Sequence, residues 1–146
     1  MEYQTRNATL AINAVKLLDR DIALDTIKTG LMNTVWSGRM ELMAERTYID
    51  GAHNIDGIEA FVQTVRDMEI DDEGRCFLIF SSVRDKRYEE MIQKLCTLPM
   101  VTDFVITQIP GERGTDIAEL NRNFSLYTEK CIHSFEDIAD LRGDMF

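Results

Sequence analysis

This sequence predicts an α/β fold, with a mostly parallel sheet flanked by helices and a helical segment ahead of it. Two observations carry the prediction. From about residue 40 onward, short apolar runs alternate with amphipathic helical stretches, the pattern of β-α-β units. One of those runs, Cys76–Phe80, is apolar without a break, as expected of a strand buried on both faces. The residues before about 36 stand outside the alternation and read as helix only. The expected partition is therefore a helical segment over 1–35 and an α/β domain over 36–146.

In the first segment, Leu10, Ala11, Ala14, Val15 and Leu18 recur at helical spacing from Asn7 onward. A second helix is expected over Ile22–Met32, with Asp21 as its N-cap and Gly30 as a weak stop signal. Met40–Ala44 and Arg46–Asp50 are short enough to be strands around a tight connection. A loop, Gly51–Asn54, precedes a helix whose apolar face holds Ile58, Phe61, Val62 and Val65. The polar turn 71–74 then leads into the strand 76–80. Tyr88–Leu95 reads as an amphipathic helix, Val101–Ile106 as a strand and Asp116–Asn121 as a short helix. Phe124–Tyr127 is expected to be a short strand, and Ser134 to cap a last helix over 136–141.

Composition narrows the function. The chain has 146 residues, 45 % of them apolar and 29 % charged, which is ordinary for one globular domain with a core. No apolar run approaches the ~20 residues of a membrane span. The first residues carry no signal-peptide or lipidation pattern. The expectation is a cytoplasmic protein with no membrane partner. With 16 basic against 26 acidic residues, the formal charge of −10 argues against nucleic acid, whose binding depends on neutralising phosphates. A small anionic ligand is not excluded, because a few local groups suffice to hold it. The three cysteines lie far apart without metal-ligand spacing, and Cys76 and Cys96, inside apolar segments, are expected as buried free thiols.

Ligands of open parallel sheets bind outside the carboxyl ends of the strands. Asp50-Gly51-Ala52-His53-Asn54 sits at such a place, after a strand and before a helix. Gly51 permits close backbone approach, and an Asp there suits a ribose diol. His53 suits a phosphate or the side of a base. The plainer alternative is that Asp50 or Asn54 caps the helix and His53 is an exposed loop residue. Trp36-Ser37-Gly38-Arg39 is a second candidate, since a guanidinium after a flexible glycine suits phosphate; the alternative is a surface Arg beside a packed Trp36. Ser81–Lys86 follows a strand too, so Asp85 and Lys86 either join the same edge or, for Asp85, cap the next helix. His133, isolated in a polar stretch, is expected to be solvated. Asn7-Ala8-Thr9 fits a glycosylation pattern but lies inside an expected helix. The sequence contains no Gly-x-x-x-x-Gly-Lys-[Ser/Thr] phosphate loop, no Gly-x-Gly-x-x-Gly and no metal-ligand cluster.

Four segments in this order resemble the folylpolyglutamate and dihydrofolate synthases of the Mur ligase superfamily. Gln4-Thr5-Arg6-Asn7-Ala8 resembles their Gln-x-x-Asn-Ala helix start, and Trp36–Glu41 their Trp-Pro-Gly-Arg-x-Glu segment, with Ser37 in place of Pro. Asp50–Asn54 matches their Asp-Gly-Ala-His-Asn motif, and Ser82–Lys86 resembles their Asp-Lys turn. The set spans residues 4–86; the remainder agrees only as a pattern of elements.

The resemblance implies an ATP-dependent ligase that converts a folate or dihydropteroate carboxylate to an acyl phosphate, which the amine of L-glutamate attacks. It implies ATP and Mg as cofactors, and a Rossmann-like C-terminal domain preceded by the tail of a central ATPase domain. The position matching Asn7 would bond the adenine, Arg39 the phosphates and Asp50 the ribose, while His53 is associated with activity. The phosphate loop, the magnesium ligands and the folate pocket would lie in a missing N-terminal ATPase domain. The chain would then be truncated at both ends, inactive alone and weak in ATP binding. Its leading helices would either rearrange or form a homodimer that buries Leu10, Ala14 and Leu18. Two other readings stand beside this one. A peptidoglycan-type Mur ligase typically has Asp-Tyr-Ala-His-x-Pro where this chain has Asp50–Asn54; a non-catalytic α/β binding module is the other.

Overall fold

The computed structural model describes residues 2–18, 21–68, 70 and 74–141. They fall into two compact units, Met1–Gly51 and Ala52–Phe146. The polar turn expected at 71–74 lies, except for Gly74, outside the described residues, as does the chain end beyond 141.

In the first unit, α1 (Glu2–Leu18) starts five residues ahead of Asn7, and α2 runs Leu24–Met32. The N-cap of α2 is Ala23 rather than Asp21. No side chain caps that end; the Ala23 carbonyl accepts from Thr26 and Ile27 instead. Ile27 is buried, whereas Leu10 and Leu18 are 68 % and 89 % exposed, so the apolar stripe of α1 faces solvent in a single chain. Two short strands follow, β1 (Glu41–Ala44) and β2 (Thr47–Ile49), paired antiparallel with Glu41 opposite Ile49. Arg46, at φ +58°, makes the tight turn between them. The hairpin is a sheet of its own, which corrects the placement of Asp50 at the carboxyl edge of a parallel strand. Local pairing across a two-residue turn is the reason, since it needs no crossover.

The second unit holds the α/β architecture. Its elements are α3 (Ile55–Asp67), β3 (Phe77–Phe80), α4 (Tyr88–Leu95), β4 (Asp103–Thr107), α5 (Ile117–Tyr127) and β5 (Cys131–Phe135). The strands form a parallel sheet in the order β3-β4-β5, with Phe77 beside Asp103 and Asp103 beside Cys131. Helix α5 packs on β4 and β5, and α4 packs against both α3 and α5. All five residues of β4 are buried. The unbroken apolar run misled here. β3 is an edge strand of this sheet that buries Leu78 and Phe80 but leaves Ile79 half exposed, so the strand covered on both faces is β4.

Two further expectations fail for tertiary reasons. Phe124–Tyr127 is the end of α5, not a strand. Leu120 and Phe124, four apart on one helical face, are fully buried, and the Phe124 ring lies 4.8 Å from Phe104 and 5.7 Å from Phe80. Ser134 caps no helix, because it pairs with Ile106 inside β5; among the described residues a 3-10 turn follows, Ile138–Asp140, capped by Asp137. A continuous ladder outweighs a local capping preference.

One buried charge anchors the amino end of the sheet. The Asp103 carboxylate accepts from Arg75, from Thr102 Oγ1 at 2.6 Å, and bonds His133 Nε2 at 2.9 Å. His133 is therefore a half-buried partner of Asp103 rather than a solvated residue. The hydrogen bonds from Arg75 hold the Asp103 carboxyl well below the usual carboxylate range, against the opposing effect of burial. Cys76 and Cys96 are half-buried, less covered than expected; burial pushes the Cys96 thiol up to about 11.

Candidate functional site

The segments Trp36–Glu41 and Asp50–Gly51 form one hydrogen-bonded structure. Between α2 and β1 the chain turns through Gly38, at φ +70°, and Met40, at φ +47°. Two carboxylates hold this turn. Glu41 Oε2 accepts the Gly38 amide at 2.6 Å, and Asp50 Oδ2 accepts the Met40 amide at 2.9 Å. A third bond closes the unit, from the Gly51 amide to the Gly38 carbonyl at 2.6 Å. A Cβ on Gly51 would stand 3.2 Å from that carbonyl oxygen, so the close approach that the glycine permits is to the turn itself.

The arrangement sets Arg39 on a turn pinned from both sides, with Gly38 and Met40 each bonded to a carboxylate. Arg39 and Asp50 are both half-buried, so their functional groups reach a surface while their backbones are fixed. Trp36 is 73 % exposed and does not serve as a packed anchor. Glu41 is the member whose role the sequence did not reveal. Its signal is the three-residue spacing from Gly38, which suits a side chain closing a turn onto a backbone amide.

The other candidates fall elsewhere. Asn7 lies exposed on α1. In the second unit, Asn54 is the N-cap of α3, accepting the Gly57 amide at 2.8 Å, and His53 is exposed just before it. Capping therefore belongs to Asn54 and not to Asp50. The segment 81–86 is tied to the loop after β4. Thr115 donates its amide to the Ser82 carbonyl at 2.9 Å, and Arg84 bonds the carbonyls of Arg113 and Gly114, each at 2.9 Å. Asp85 pairs with Arg113 at 2.9 Å and is not the cap of α4, whose N-cap is Arg87. Gly114 is obligatory in this knot, since a Cβ there would lie 2.2 Å from the Ile109 carbonyl oxygen. Lys86 is half-buried. Among the described residues no three His, Cys, Asp or Glu side chains form a group able to hold a metal ion, and no helix is long and apolar enough to cross a membrane.

An arginine on a fixed turn and an aspartate bonded to that turn are residue types that suit a ligand offering both anionic oxygens and hydroxyls. The chain is 32 % identical over 114 residues to the dihydrofolate synthase/folylpolyglutamate synthase of Bacillus subtilis, covering 74 % of this chain and 26 % of that protein. It is 26 % identical over 151 residues to the folylpolyglutamate synthase of Lacticaseibacillus casei, covering 95 % of this chain and 34 % of that one. This chain thus spans about a quarter of the first of these relatives and a third of the second. Among solved structures, the Mycobacterium tuberculosis folylpolyglutamate synthase complexed with ADP and AMPPCP superposes with a TM-score of 0.85 at 24 % identity, over 95 % of this chain and 31 % of that one. E. coli FolC in complex with ADP gives 0.78 at 21 %, over 91 % and 31 %. At those identities the likeness establishes the fold. The model of the Mur ligase, glutamate ligase domain, matches residues 38–143, which is most of the chain and includes both the pinned turn and the parallel sheet, and the chain therefore belongs to that family.

Proposed function

We propose that this chain contributes one wall of the ATP site of a ligase that adds L-glutamate to folate or dihydropteroate. The observation that carries the reading is the joining of the Arg39 turn to Asp50 through the Met40 amide. In this reading Arg39 meets the phosphates and the Asp50 carboxylate takes a ribose hydroxyl. Asn7 reaches the base and His53 lies near the nucleotide. Relatives described as dihydrofolate and folylpolyglutamate synthases, and solved structures described as complexes with ADP, support this choice over a peptidoglycan ligase or a binding module.

The residues fit a nucleotide better than a metal. ATP, when bound, supplies the phosphoryl group that activates a carboxylate, and this chain's part is to bind and orient it. We place the magnesium ligands, the phosphate loop and the folate pocket outside this chain, and the enzyme in the cytoplasm. Residues 1–35 are assigned to the tail of a central ATPase domain and 36–146 to the C-terminal domain. A single wall encloses little of a ligand, so the isolated chain binds ATP weakly, with a dissociation constant well above about 1 μM, and does not turn over.

The test is amide-resolved NMR of this chain with millimolar ATP. Shifts centred on Gly38, Arg39, Met40 and Gly51 that vanish in Arg39→Ala are the expected result. Shifts centred instead on the 81–86 segment, or unchanged by that substitution, would refute the assignment.

A further inference from the structure

One carboxylate of the pinned turn has no part in the nucleotide reading. Glu41 opens β1, and the register that sets it opposite Ile49 brings Glu41 and Asp50 together to the open end of the hairpin. Arg39 stands between the two residues whose amides they accept, Gly38 and Met40. Both of those residues have left-handed backbone, at φ +70° and +47°. Glycine adopts that region freely, but methionine does so only where its surroundings hold it. The two peptide units that flank Arg39 are held by Gly51, whose amide reaches the Gly38 carbonyl at 2.6 Å, and by Asp50, which takes the Met40 amide at 2.9 Å. Glu41 holds the unit on the other side of Gly38, the residue of the turn most able to swing, through a bond of 2.6 Å. Glu41 is itself half-buried, so this bond is partly shielded from water.

We propose that Glu41 is a positioning residue for the nucleotide: by holding the Gly38 amide it fixes the backbone that carries Arg39, and it makes no contact with the ligand itself. The proposal rests on the nucleotide reading above and adds a residue to it. Charge alone gives Glu41 the opposite effect. A carboxylate two residues from an arginine that meets phosphates repels an anionic ligand, so its removal would tighten binding if charge were all that mattered. Fixing the turn works the other way. An arginine on a backbone already in its binding conformation loses less freedom when the ligand arrives, and that gain disappears when the Gly38 amide is released. The direction of the change on removing Glu41 therefore separates the two effects.

The test is NMR titration with ATP of the wild-type chain, Arg39→Ala, Glu41→Ala, Glu41→Gln and the double variant of Arg39→Ala with Glu41→Ala. Glu41→Ala should weaken ATP about tenfold, the scale of one lost charge-assisted bond. Glu41→Gln, which keeps an acceptor oxygen within reach of the Gly38 amide, should bind within about threefold of the wild type. The double variant should bind no more weakly than Arg39→Ala alone, because Glu41 acts through Arg39. If Glu41→Ala loses the spectral dispersion of β1 and β2, Glu41→Asp takes its place with the same expected loss, since its carboxylate is one methylene too short. ATP binding unchanged or tightened in Glu41→Ala, or losses that add in full in the double variant, would overturn the proposal and leave the nucleotide reading standing. ATP shifts absent from the turn, or unaffected by Arg39→Ala, would overturn the nucleotide reading and the proposal with it.

Discussion

The carboxylate of Asp50 accepts the backbone amide of Met40 across ten residues of chain, at 2.9 Å. A residue whose sequence context suggests a ligand contact thus holds its neighbour Arg39 in place as well. Truncation at Asp50 should loosen the turn locally. In Asp50→Ala the Met40 amide should exchange with solvent at least about tenfold faster than in the wild type, while amides of β4 stay unchanged. Asp50→Asn, which keeps an acceptor oxygen, should fall between the two. Equal exchange in all three proteins would contradict the role given to this bond.

Glycine substitutions should sort by what a Cβ would meet. Gly114→Ala puts a carbon 2.2 Å from the Ile109 carbonyl oxygen, which is backbone and cannot swing aside, so a loss of about 3 kcal/mol is expected. Gly51→Ala meets the Gly38 oxygen at 3.2 Å and should cost about 1 kcal/mol. Gly30, inside α2 with nothing within 4 Å, should gain about 0.5–1 kcal/mol on substitution by Ala. Urea unfolding of the three variants checks the order; Gly114→Ala as stable as the wild type would defeat it.

Acid stability should depend on Asp103. Its folded carboxyl titrates below its unfolded value, so the stabilisation is complete above about pH 5 and drains away as pH falls through about 4 and lower. Urea midpoints between pH 6 and pH 3 should therefore decline, and Asp103→Asn should flatten the decline while lowering stability at pH 6. A wild-type profile level down to pH 3 would show that the carboxylate contributes nothing to folding.

Thiol reagents should discriminate among the cysteines. Cys131 is exposed at the start of β5, whereas Cys96 is half-buried with its thiol pushed up to about 11. At pH 8 a disulfide reagent should label Cys131 first and Cys96 at least about tenfold more slowly, in proportion to thiolate and access. Peptide mapping after partial labelling decides the order.

The exposed stripe on α1 should show in the oligomeric state. With Leu10 and Leu18 mostly exposed, light scattering is expected to give about twice the 16.8 kDa chain mass. Leu10→Glu together with Leu18→Lys should return the monomer. A wild-type monomer whose α1 amides are protected from exchange would exclude the dimer.

What could be read from the sequence follows how local the causes are. The helix at Tyr88 declares itself by periodicity and the one after Asn54 by periodicity and capping, and the structure has them where expected. The parallel sheet follows from the alternation of strand and helix. By contrast, the end of α5 and the whole of β5 are decided by partners distant in sequence, Phe80 and Phe104 for Phe124 and the β4 ladder for Ser134. His133 looks idle until β4 brings Asp103 beside it. In the candidate site, the residue types pointed to Arg39 and Asp50, but the bonds joining their loops run through backbone amides of Gly38, Met40 and Gly51, which no side-chain pattern displays.

The place of β4 also sets the order in which the sheet can come into being. In the second unit β3 and β5 each pair with β4 and not with each other, and each pairing closes across an entire helix. Neither outer strand can fix its register before β4 is laid down, and β5 is made after both β3 and β4 as the chain is synthesised. The nucleus for this sheet must therefore contain β4 with one helical crossover, and Phe104, Val105 and Ile106 are the side chains whose truncation should slow folding rather than hasten unfolding.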